Sequence, residues 1–199
     1  MKLAILIPSG FQWFAGFGYC LANLVQHTKG DIFNLQGSNL LYLRETLLDM
    51  AKDYDYALCL DSDMLFPPDT VEKLLKHEKD IVCANYVTKK ASARWLALGL
   101  DGKVCDSRDK TGIEEVGRIP FGVTLIKMDS IKEIKKPRFL FPWNPETGRC
   151  GGEDYYFSDL CRKNGMKIYV DHDLTKEVMH MGTALYNHSH VRDDVDIHN

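Results

Sequence analysis

The chain has 199 residues, of which 45% are hydrophobic and 27% charged, a balance typical of a soluble globular protein that folds without disulfides. Its formal net charge of -3 excludes general electrostatic attraction to nucleic acid or to anionic membranes, but a local basic patch stays compatible with it. No apolar window approaches the length of a transmembrane helix, so the sequence predicts no membrane anchor.

The first half of the chain alternates β-prone runs with segments of helical periodicity. Its strands are continuous apolar runs, which is typical of strands buried on both faces. The alternation predicts an α/β domain with a mostly parallel sheet, in which ligands bind beyond the carboxyl ends of the strands. The predicted elements are strand Lys2–Ile7, helix Phe14–His27, strand Asp31–Leu35, helix Leu40–Lys52, strand Tyr56–Leu60, helix Thr70–His77 and strand Asp80–Asn85.

The second half of the chain is less regular, and its strands are expected to be antiparallel. A single domain is predicted over residues 1–199, with a nucleotide-binding half over about residues 1–87 and an acceptor and catalytic half over about residues 88–199. Its predicted elements are strands Trp95–Leu100, Gly112–Val116 and Gly122–Lys127, a short helix capped by Asp129 and Ser130, a loop over Lys135–Cys150, helix Glu153–Asn164 and strand Lys167–Val170.

The six cysteines form neither a CxxC pair nor a Cys/His zinc spacing. Four of them lie in apolar surroundings and are predicted to be small core residues: Cys20, Cys59, Cys83 and Cys161. The chain shows no signal peptide, so we expect reduced thiols and a cytoplasmic protein of a bacterium or of a phage-infected host.

Two carboxylates end the apolar run in the stretch "YALCLDSDMLFPPD", residues 56–69. Strand alternation predicts that Asp61 and Asp63 lie on the same side, where two like charges favour a bound cation. Mg²⁺ and Mn²⁺ prefer carboxylate oxygens and often bridge to substrate phosphates. The spacing therefore favours a divalent-metal site that holds a diphosphate, whereas a pair of aspartates that caps a turn is the simpler structural interpretation.

Five segments, in order from residue 3 to residue 186, extend this hypothesis. They are "LAILIPSG", "QGSNLLYLRETLL", "LCLDSDMLFPPDTVEKLLKHEKDIVCANY", "PFGVTLIKMDSI", and "GGEDYYFSDLCRKNGMKIYVD" followed by "VMHMGTALY". Their combination and order resemble glycosyltransferases of the GT-A fold, in particular the small family-2-like enzymes of phage and bacteria with a DxD motif. The resemblance implies a GT-A fold and transfer of a sugar from a nucleoside-diphosphate sugar to an acceptor hydroxyl, with inversion.

The same resemblance implies roles for individual residues. Asp63 would be the main ligand of Mn²⁺ or Mg²⁺, with His180 as a further ligand. Asp61 would contact either the nucleotide ribose or, through water, the metal. Asp154 would be the general base, and its place at a helix N-terminus predicts that it is ionised at neutral pH. Gly151 and Gly152 would allow a sharp turn before it. The expected nucleotide pocket consists of Pro8, Ser9, Gly10, Arg44, Asp61 and Ser62.

Simpler interpretations exist for several of these residues. Glu153 and Asp154 are also typical helix-capping acids, and Arg44 is also typical of a solvated helix position. His180, between two methionines, also suits a packed core histidine. Glu45 stands where the family more often has Asn. The aromatic residues Phe11, Trp13, Phe14, Trp95 and Trp143 suit either core packing or stacking on a base or sugar.

Three other functions share part of this pattern. A haloacid-dehalogenase-like phosphohydrolase also ends an apolar strand with DxD, but there the motif follows the first strand. A Thr or Val normally stands two places after its second Asp, and that place holds Leu65 here. A sugar-nucleotide pyrophosphorylase would need basic residues that "PSGFQWFAGFG" lacks. The third alternative, a sugar- or nucleotide-binding module without catalytic activity, is also compatible with the sequence.

The substrates are the least determined part of the hypothesis. UDP is favoured as the donor nucleotide because it is the commonest one in the family that the chain resembles. The expected acceptor is a glycan or a hydroxymethylated base of phage DNA. For DNA, the basic segments Thr88–Arg94 and Ile131–Phe139 would meet phosphates, whereas solvated loops are the simpler interpretation.

Overall fold

The computed structural model describes residues 1–90, 92–182 and 185–191. Strands and helices alternate along the chain, and seven of the strands form one large mixed sheet. The strands are β1 Leu3–Ser9, β2 Asp31–Gln36, β3 Tyr56–Leu60, β4 Met64–Leu65, β5 Ile81–Ala84, β6 Ile113–Val116, β7 Val123–Lys127, β8 Trp143–Asn144, β9 Arg149–Cys150, β10 Ile168–Asp171, β11 Met179–Met181 and β12 Leu185–Tyr186. The helices are α1 Ala15–His27, α2 Leu40–Met50, α3 Thr70–Leu75, α4 Met128–Ile131, α5 Glu153–Lys163 and α6 His172–Thr175, with a 3₁₀ turn at His188–His190.

The central sheet has the strand order β2-β1-β3-β7-β5-β10-β6. Strands β1, β2 and β3 are parallel to one another, and β5 is parallel to β10. Strand β7 lies between β3 and β5 and is antiparallel to both, and β6 is antiparallel to β10. The mostly parallel α/β sheet predicted from the first half is therefore confirmed, as are antiparallel strands in the second half.

Strand β1 shows why the apolar runs are continuous. Leu3, Ile5 and Ile7 pack on one face of the sheet, in the cluster that contains the buried residues of α1 and α3. Ala4 and Leu6 pack on the other face, with residues of α2 and α5. Both faces of the strand are covered, so neither face can carry polar side chains without leaving them buried.

Several predicted elements differ from the observed ones. Trp95–Leu100 is not a strand; Trp95 and Leu98 make isolated bridges to residues of different loops. The segment 135–150 is not only loop, since β8 and β9 form a hairpin within it. Asp129 and Ser130 lie inside α4, whose N-cap is Lys127, so the predicted cap is wrong.

Within the described residues no helix combines the length and the apolar character that crossing a membrane requires.

A small three-stranded sheet, absent from the sequence prediction, positions the late part of the chain. Its order is β12-β11-β4, and His180 pairs with Met64 in an antiparallel register. The Met181 backbone N–H also donates to the Asp63 carbonyl over 2.7 Å. This pairing brings residue 180 beside residue 63, although they are far apart in sequence.

Candidate active site

A cleft opens at the carboxyl ends of β1 and β3, the edge where the sequence predicted ligand binding. The loop after β1, the start of α2 and the turn after β3 form its walls. The structure brings together there every residue of the predicted nucleotide pocket. The cleft is lined by Pro8, Ser9, Gly10, Gly37, Ser38, Leu40, Leu43, Arg44, Asp61, Ser62 and Asp63.

The turn after β3 separates the two carboxylates of the DxD motif. Strand β3 ends at Leu60, and the Met64 backbone N–H donates to the Asp61 carbonyl over 3.1 Å, which closes the turn. Strand alternation therefore does not apply to residues 61–63, although Asp61 and Asp63 both line the cleft as predicted. Because the chain turns, the two side chains have different partners.

Asp61 belongs to a buried ionic group centred on Arg44. The Arg44 Nη2 donates to Asp61 Oδ1 over 2.9 Å, and its Nε donates to Glu153 Oε1 over 3.1 Å. Burial lowers the pKa of Arg44, but the charges of Asp61 and Glu153 outweigh burial and raise it above its ordinary value. The guanidinium also lies 5.1 Å from the centroid of the Phe121 ring.

This arrangement corrects two of the simpler interpretations. The Arg44 side chain is only 6% exposed, so it is not a solvated charge. Glu153 makes no capping hydrogen bond; it is the counter-ion of an arginine on another helix. Arg44 fixes the first acid of the DxD motif relative to the start of α5, which carries Asp154.

Glu45 points to a different part of the molecule. It accepts hydrogen bonds from the Arg138 backbone N–H at 2.7 Å and from Arg138 Nε at 2.5 Å. Glu45, which stands where the family more often has Asn, therefore links α2 to the segment before the β8–β9 hairpin.

Asp63 is surrounded by cationic and imidazole groups. Its Oδ2 forms an ion pair with Lys89 and lies 3.5 Å from His180 Nε2. Burial raises the pKa of Asp63, but hydrogen bonds from His180 and Lys89 outweigh burial and hold the pKa below its ordinary value. Asp63 is thus ionised at neutral pH, as a metal ligand must be.

Two observations show that Asp63 and His180 fit a divalent cation. Asp63 Oδ1 is buried and has no hydrogen-bond partner among the described residues, which costs free energy unless a ligand satisfies it. His180 Nδ1 lies 2.9 Å from the Val87 carbonyl, which accepts its proton. With Nδ1 donating to Val87, a cation bound between the two side chains would take the place of the Nε2 proton that faces Asp63.

Asp154 lies at the start of α5 and differs from its predicted charge state. Burial, followed by the charge of Glu153, raises the pKa of Asp154 to about 7, although a hydrogen bond from the Tyr155 backbone N–H opposes them. The helix N-terminus was expected to keep Asp154 ionised at neutral pH, but burial opposes it, and with a pKa of about 7 the carboxyl group is only partly ionised there. A pKa of about 7 is nonetheless suited to a general base.

Two glycines make room for this geometry. A Cβ at Gly152 would lie 2.4 Å from Asp154 Oδ1, so a side chain there would displace the carboxylate. Gly152 has an ordinary φ of −75°, which means that space, and not a sharp turn, requires glycine. A Cβ at Gly122 would lie 2.6 Å from the Tyr86 hydroxyl, which accepts the Gly122 backbone N–H over 3.0 Å.

Tyr86 is buried within the electrostatic influence of three acids of the candidate site. Its ring centroid is 4.9 Å from that of His180. Burial raises the pKa of Tyr86 well above its ordinary value, and the charges of Asp61, Asp154 and Asp63 raise it further. The metal-ligand candidates and the base candidate therefore act on one shared side chain.

The remaining aromatic and basic candidates fall into two groups. Trp95 is a core residue, 3% exposed, whose Nε1 donates to Asp106, whereas Trp143, Phe11 and Phe14 are exposed. Three of the basic side chains of residues 131–139 pair with carboxylates: Lys132 with Asp129, Lys136 with Asp49, and Arg138 with Glu45 and Asp49. His198, with the rest of residues 192–199, lies outside the described residues.

Two solved structures are similar to this fold. A197 from STIV matches with a TM-score of 0.66 and 24% identity, over 98% of this chain and 97% of that chain. GalNAc-T7, solved with UDP, GalNAc and Mn²⁺, matches with a TM-score of 0.58 and 10% identity, over 86% of this chain and 42% of that longer chain. These similarities confirm the predicted α/β fold of GT-A type. No protein-family model and no curated protein sequence matches the chain.

Sequence reasoning missed three contributors to the site. Glu153 lacked an assigned partner, because Arg44 is 109 residues away in sequence. Lys89 belongs to a basic segment whose sequence indicates only phosphate contact or a solvated loop, and no motif marks Tyr86. The apolar "VCANY" run before Tyr86 gave no signal of its role, since only the fold shows which groups its hydroxyl meets.

Proposed function

We propose that this protein is a metal-dependent glycosyltransferase that moves a sugar from a nucleoside-diphosphate sugar to an acceptor hydroxyl, with inversion. One observation carries the proposal: an ionised carboxylate paired with an imidazole, Asp63, and a carboxyl group with a pKa of about 7, Asp154, both act electrostatically on the buried Tyr86. Carboxyl groups with such opposed pKa shifts mark acid–base sites. The GT-A-type fold supports the same function.

On the donor side, Asp63 and His180 would hold Mn²⁺ or Mg²⁺. When bound, the ion would stabilise the negative charge that develops on the departing nucleoside diphosphate. Asp61, held by Arg44, would contact the ribose or the metal through water, and the predicted nucleotide contact of Arg44 stays part of the proposal. The cleft walls at Pro8, Ser9, Gly10 and Ser62 would contact the nucleotide.

On the acceptor side, Asp154 would take the proton of the attacking hydroxyl. The acceptor oxygen forms a bond to the anomeric carbon, while the bond from that carbon to the diphosphate oxygen breaks and its electron pair leaves with the diphosphate. The proton ends on the Asp154 carboxylate. Attack from the face opposite the leaving group inverts the anomeric centre.

The substrate classes follow from the surroundings of the site. UDP is the first donor nucleotide to test, since it is the one favoured by the sequence resemblance and the one bound by GalNAc-T7. A glycan is the favoured acceptor, because three cations of the segment 131–139 are paired with carboxylates and so offer little charge to DNA phosphates.

The alternatives are less well supported. A haloacid-dehalogenase-like phosphohydrolase would use Asp61 as its nucleophile, but Asp61 Oδ1 accepts a hydrogen bond from the buried Arg44. An inactive binding module would have no use for a buried carboxyl group with a pKa of about 7, since burying it lowers stability at neutral pH.

The proposal is tested by incubating the purified protein with a panel of sugar nucleotides, Mn²⁺ and a glycan array. The release of nucleoside diphosphate and the mass of the array products are measured, with EDTA as the control. We expect release from one donor, which EDTA abolishes, and a product of inverted anomeric configuration by NMR. Absence of release from every donor, or release of inorganic phosphate from phosphomonoesters instead, contradicts the proposal.

A further inference from the structure

A second group of metal-ligating side chains lies outside the cleft. Cys105 Sγ, one Glu114 carboxylate oxygen and one His172 ring nitrogen all lie within 4.8 Å of one another. Cys105 belongs to the loop before β6, Glu114 to β6, and His172 is the first residue of α6. Cys105 and His172 are buried, whereas Glu114 is partly exposed and leaves a path from solvent.

The separations between these atoms suit a tetrahedral ion. Glu114 Oε2 lies 3.0 Å from His172 Nε2 and 3.9 Å from Cys105 Sγ. Ordinary zinc–ligand bond lengths place a nitrogen and an oxygen ligand about 3.4 Å apart, and a sulfur and an oxygen ligand about 3.6 Å apart. Each observed distance is within about half an ångström of those values, so small side-chain movements would admit the ion.

The surroundings also hold the histidine ring in a ligating orientation. His172 Nδ1 lies 3.0 Å from the Ser107 hydroxyl oxygen, which also accepts a hydrogen bond from Asn85 Nδ2 over 3.1 Å. Ser107 and Asn85 are both fully buried. Metal-binding histidines typically have such a partner on the second ring nitrogen, because it fixes the tautomer and aims the first nitrogen at the metal.

We propose that Cys105, Glu114 and His172 bind one Zn²⁺ ion, with a fourth position open to water. A thiolate, an imidazole and a carboxylate together favour Zn²⁺ over Mg²⁺ or Mn²⁺, which prefer oxygen ligands. The ion would join the loop before β6, strand β6 and the start of α6, three segments of the acceptor half. It is separate from the divalent ion proposed at Asp63.

Lys110 is the competing cation at this site. Its ammonium group forms an ion pair with Glu114 Oε2, the same oxygen that faces His172 and Cys105. The Lys110 side chain is 44% exposed and can turn into solvent when the ion enters. Removal of this charge should therefore tighten zinc binding, an effect that a purely structural hydrogen-bond cluster would not show.

The test uses the full chain with Asp63→Ala, so that the proposed donor-side metal site is removed. Zn²⁺ affinity is measured in competition with a chromogenic chelator, and bound metal is counted by elemental analysis. We expect one Zn²⁺ per chain, an affinity at least tenfold weaker with Cys105→Ala or Glu114→Gln, and a severalfold tighter affinity with Lys110→Gln. Cys161→Ala, at another buried cysteine, should leave the affinity unchanged.

Cobalt gives a second readout of the thiolate ligand. Co²⁺ in place of Zn²⁺ should show a sulfur-to-metal charge-transfer absorption that Cys105→Ala removes and Cys161→Ala retains. Absence of zinc binding, or binding that Cys105→Ala and Glu114→Gln leave undiminished, overturns the proposal. If Cys105→Ala does not fold, Glu114→Gln at the partly exposed ligand decides the question. None of these measurements depends on sugar transfer, so they stand or fall apart from the proposed function.

Discussion

Asp63 and Asp154 are two carboxyl groups of one candidate site, and the charges around them differ. Asp63 lies beside Lys89 and His180, which hold its pKa below the ordinary value in spite of burial. Asp154 lies beside Glu153, which adds to burial and raises its pKa to about 7. Opposed surroundings give one group the permanent charge of a ligand and the other the affinity for protons of a base.

The comparison also shows why Arg44 matters. Its guanidinium contacts Glu153 and Asp61 but not Asp154 in the described hydrogen bonds and ion pairs. It neutralises the two acids next to the proposed catalytic groups. The charge that remains to act on Asp154 is therefore negative overall, in agreement with its raised pKa.

The largest expected effect comes from the base itself. Asp154→Asn should lower kcat for sugar transfer by about 10²–10⁴-fold, because the acceptor hydroxyl loses its proton acceptor. Donor affinity, measured by calorimetry with the nucleoside diphosphate and Mn²⁺, should stay unchanged. Asp159→Asn, on the same helix but paired with Arg118 at the surface, is the matched control and should retain activity. Normal turnover by Asp154→Asn would contradict the role of Asp154 as the base, and with it the contrast with Asp63 as the metal ligand.

A large loss of stability is expected from Arg44→Gln. It leaves Asp61 and Glu153 without their buried counter-ion, which should cost about 3–5 kcal/mol in the free energy of unfolding measured by urea denaturation. Arg118→Gln removes a partly exposed pair with Asp159 and should cost at most about 1 kcal/mol. Equal effects of the two substitutions would contradict the importance assigned to the Arg44 group.

The pH dependence of transfer should follow Asp154. The base must be ionised, so kcat should rise tenfold per pH unit below about pH 7 and level off above it, in line with its pKa. Mn²⁺ affinity measured over the same range is the control, since a loss of bound metal would also lower activity. A profile that is already flat from pH 5 upward would show that Asp154 is not held at a raised pKa.

The smallest expected effect is a gain in stability from the same substitution. The pKa of Asp154 is raised in the folded state, so its contribution to stability is present below about pH 4 and is lost as pH rises through about 7. Asp154→Asn should therefore be about 1–3 kcal/mol more stable than the native protein at pH 8, with a smaller difference at pH 5. Urea denaturation at both pH values measures this; a destabilised variant at pH 8 would contradict it.

Much of the fold could be predicted from the sequence because its signals are local. The run Tyr56–Leu60 was predicted with the observed bounds, and α1 and α2 were each predicted to within about two residues of their observed ends. The small sheet was missed, because β4 and β11 are two- and three-residue strands defined by their pairing. Trp95–Leu100 has a strand-like composition, but its hydrogen bonds go to separate loops.

The candidate site could be predicted only where the residue types themselves carry the chemistry. The DxD acids, the Pro8–Gly10 turn and Arg44 do lie on one cleft, and Asp63 does meet His180. The partner of Glu153 and the pKa of Asp154 could not be predicted, because both depend on burial and on contacts between distant segments. The cluster of Cys105, Glu114 and His172 has no motif spacing for the same reason.

The most direct test of the central claim is calorimetric titration of UDP into the native protein and into Asp63→Ala, each with Mn²⁺ and with EDTA. The account predicts that the native protein binds UDP only with Mn²⁺ and that Asp63→Ala weakens this binding at least tenfold. The exposed Asp101→Ala is the control and should bind as the native protein does. Native binding that EDTA leaves unchanged, or full Mn²⁺-dependent binding by Asp63→Ala, would contradict a donor site built on Asp63.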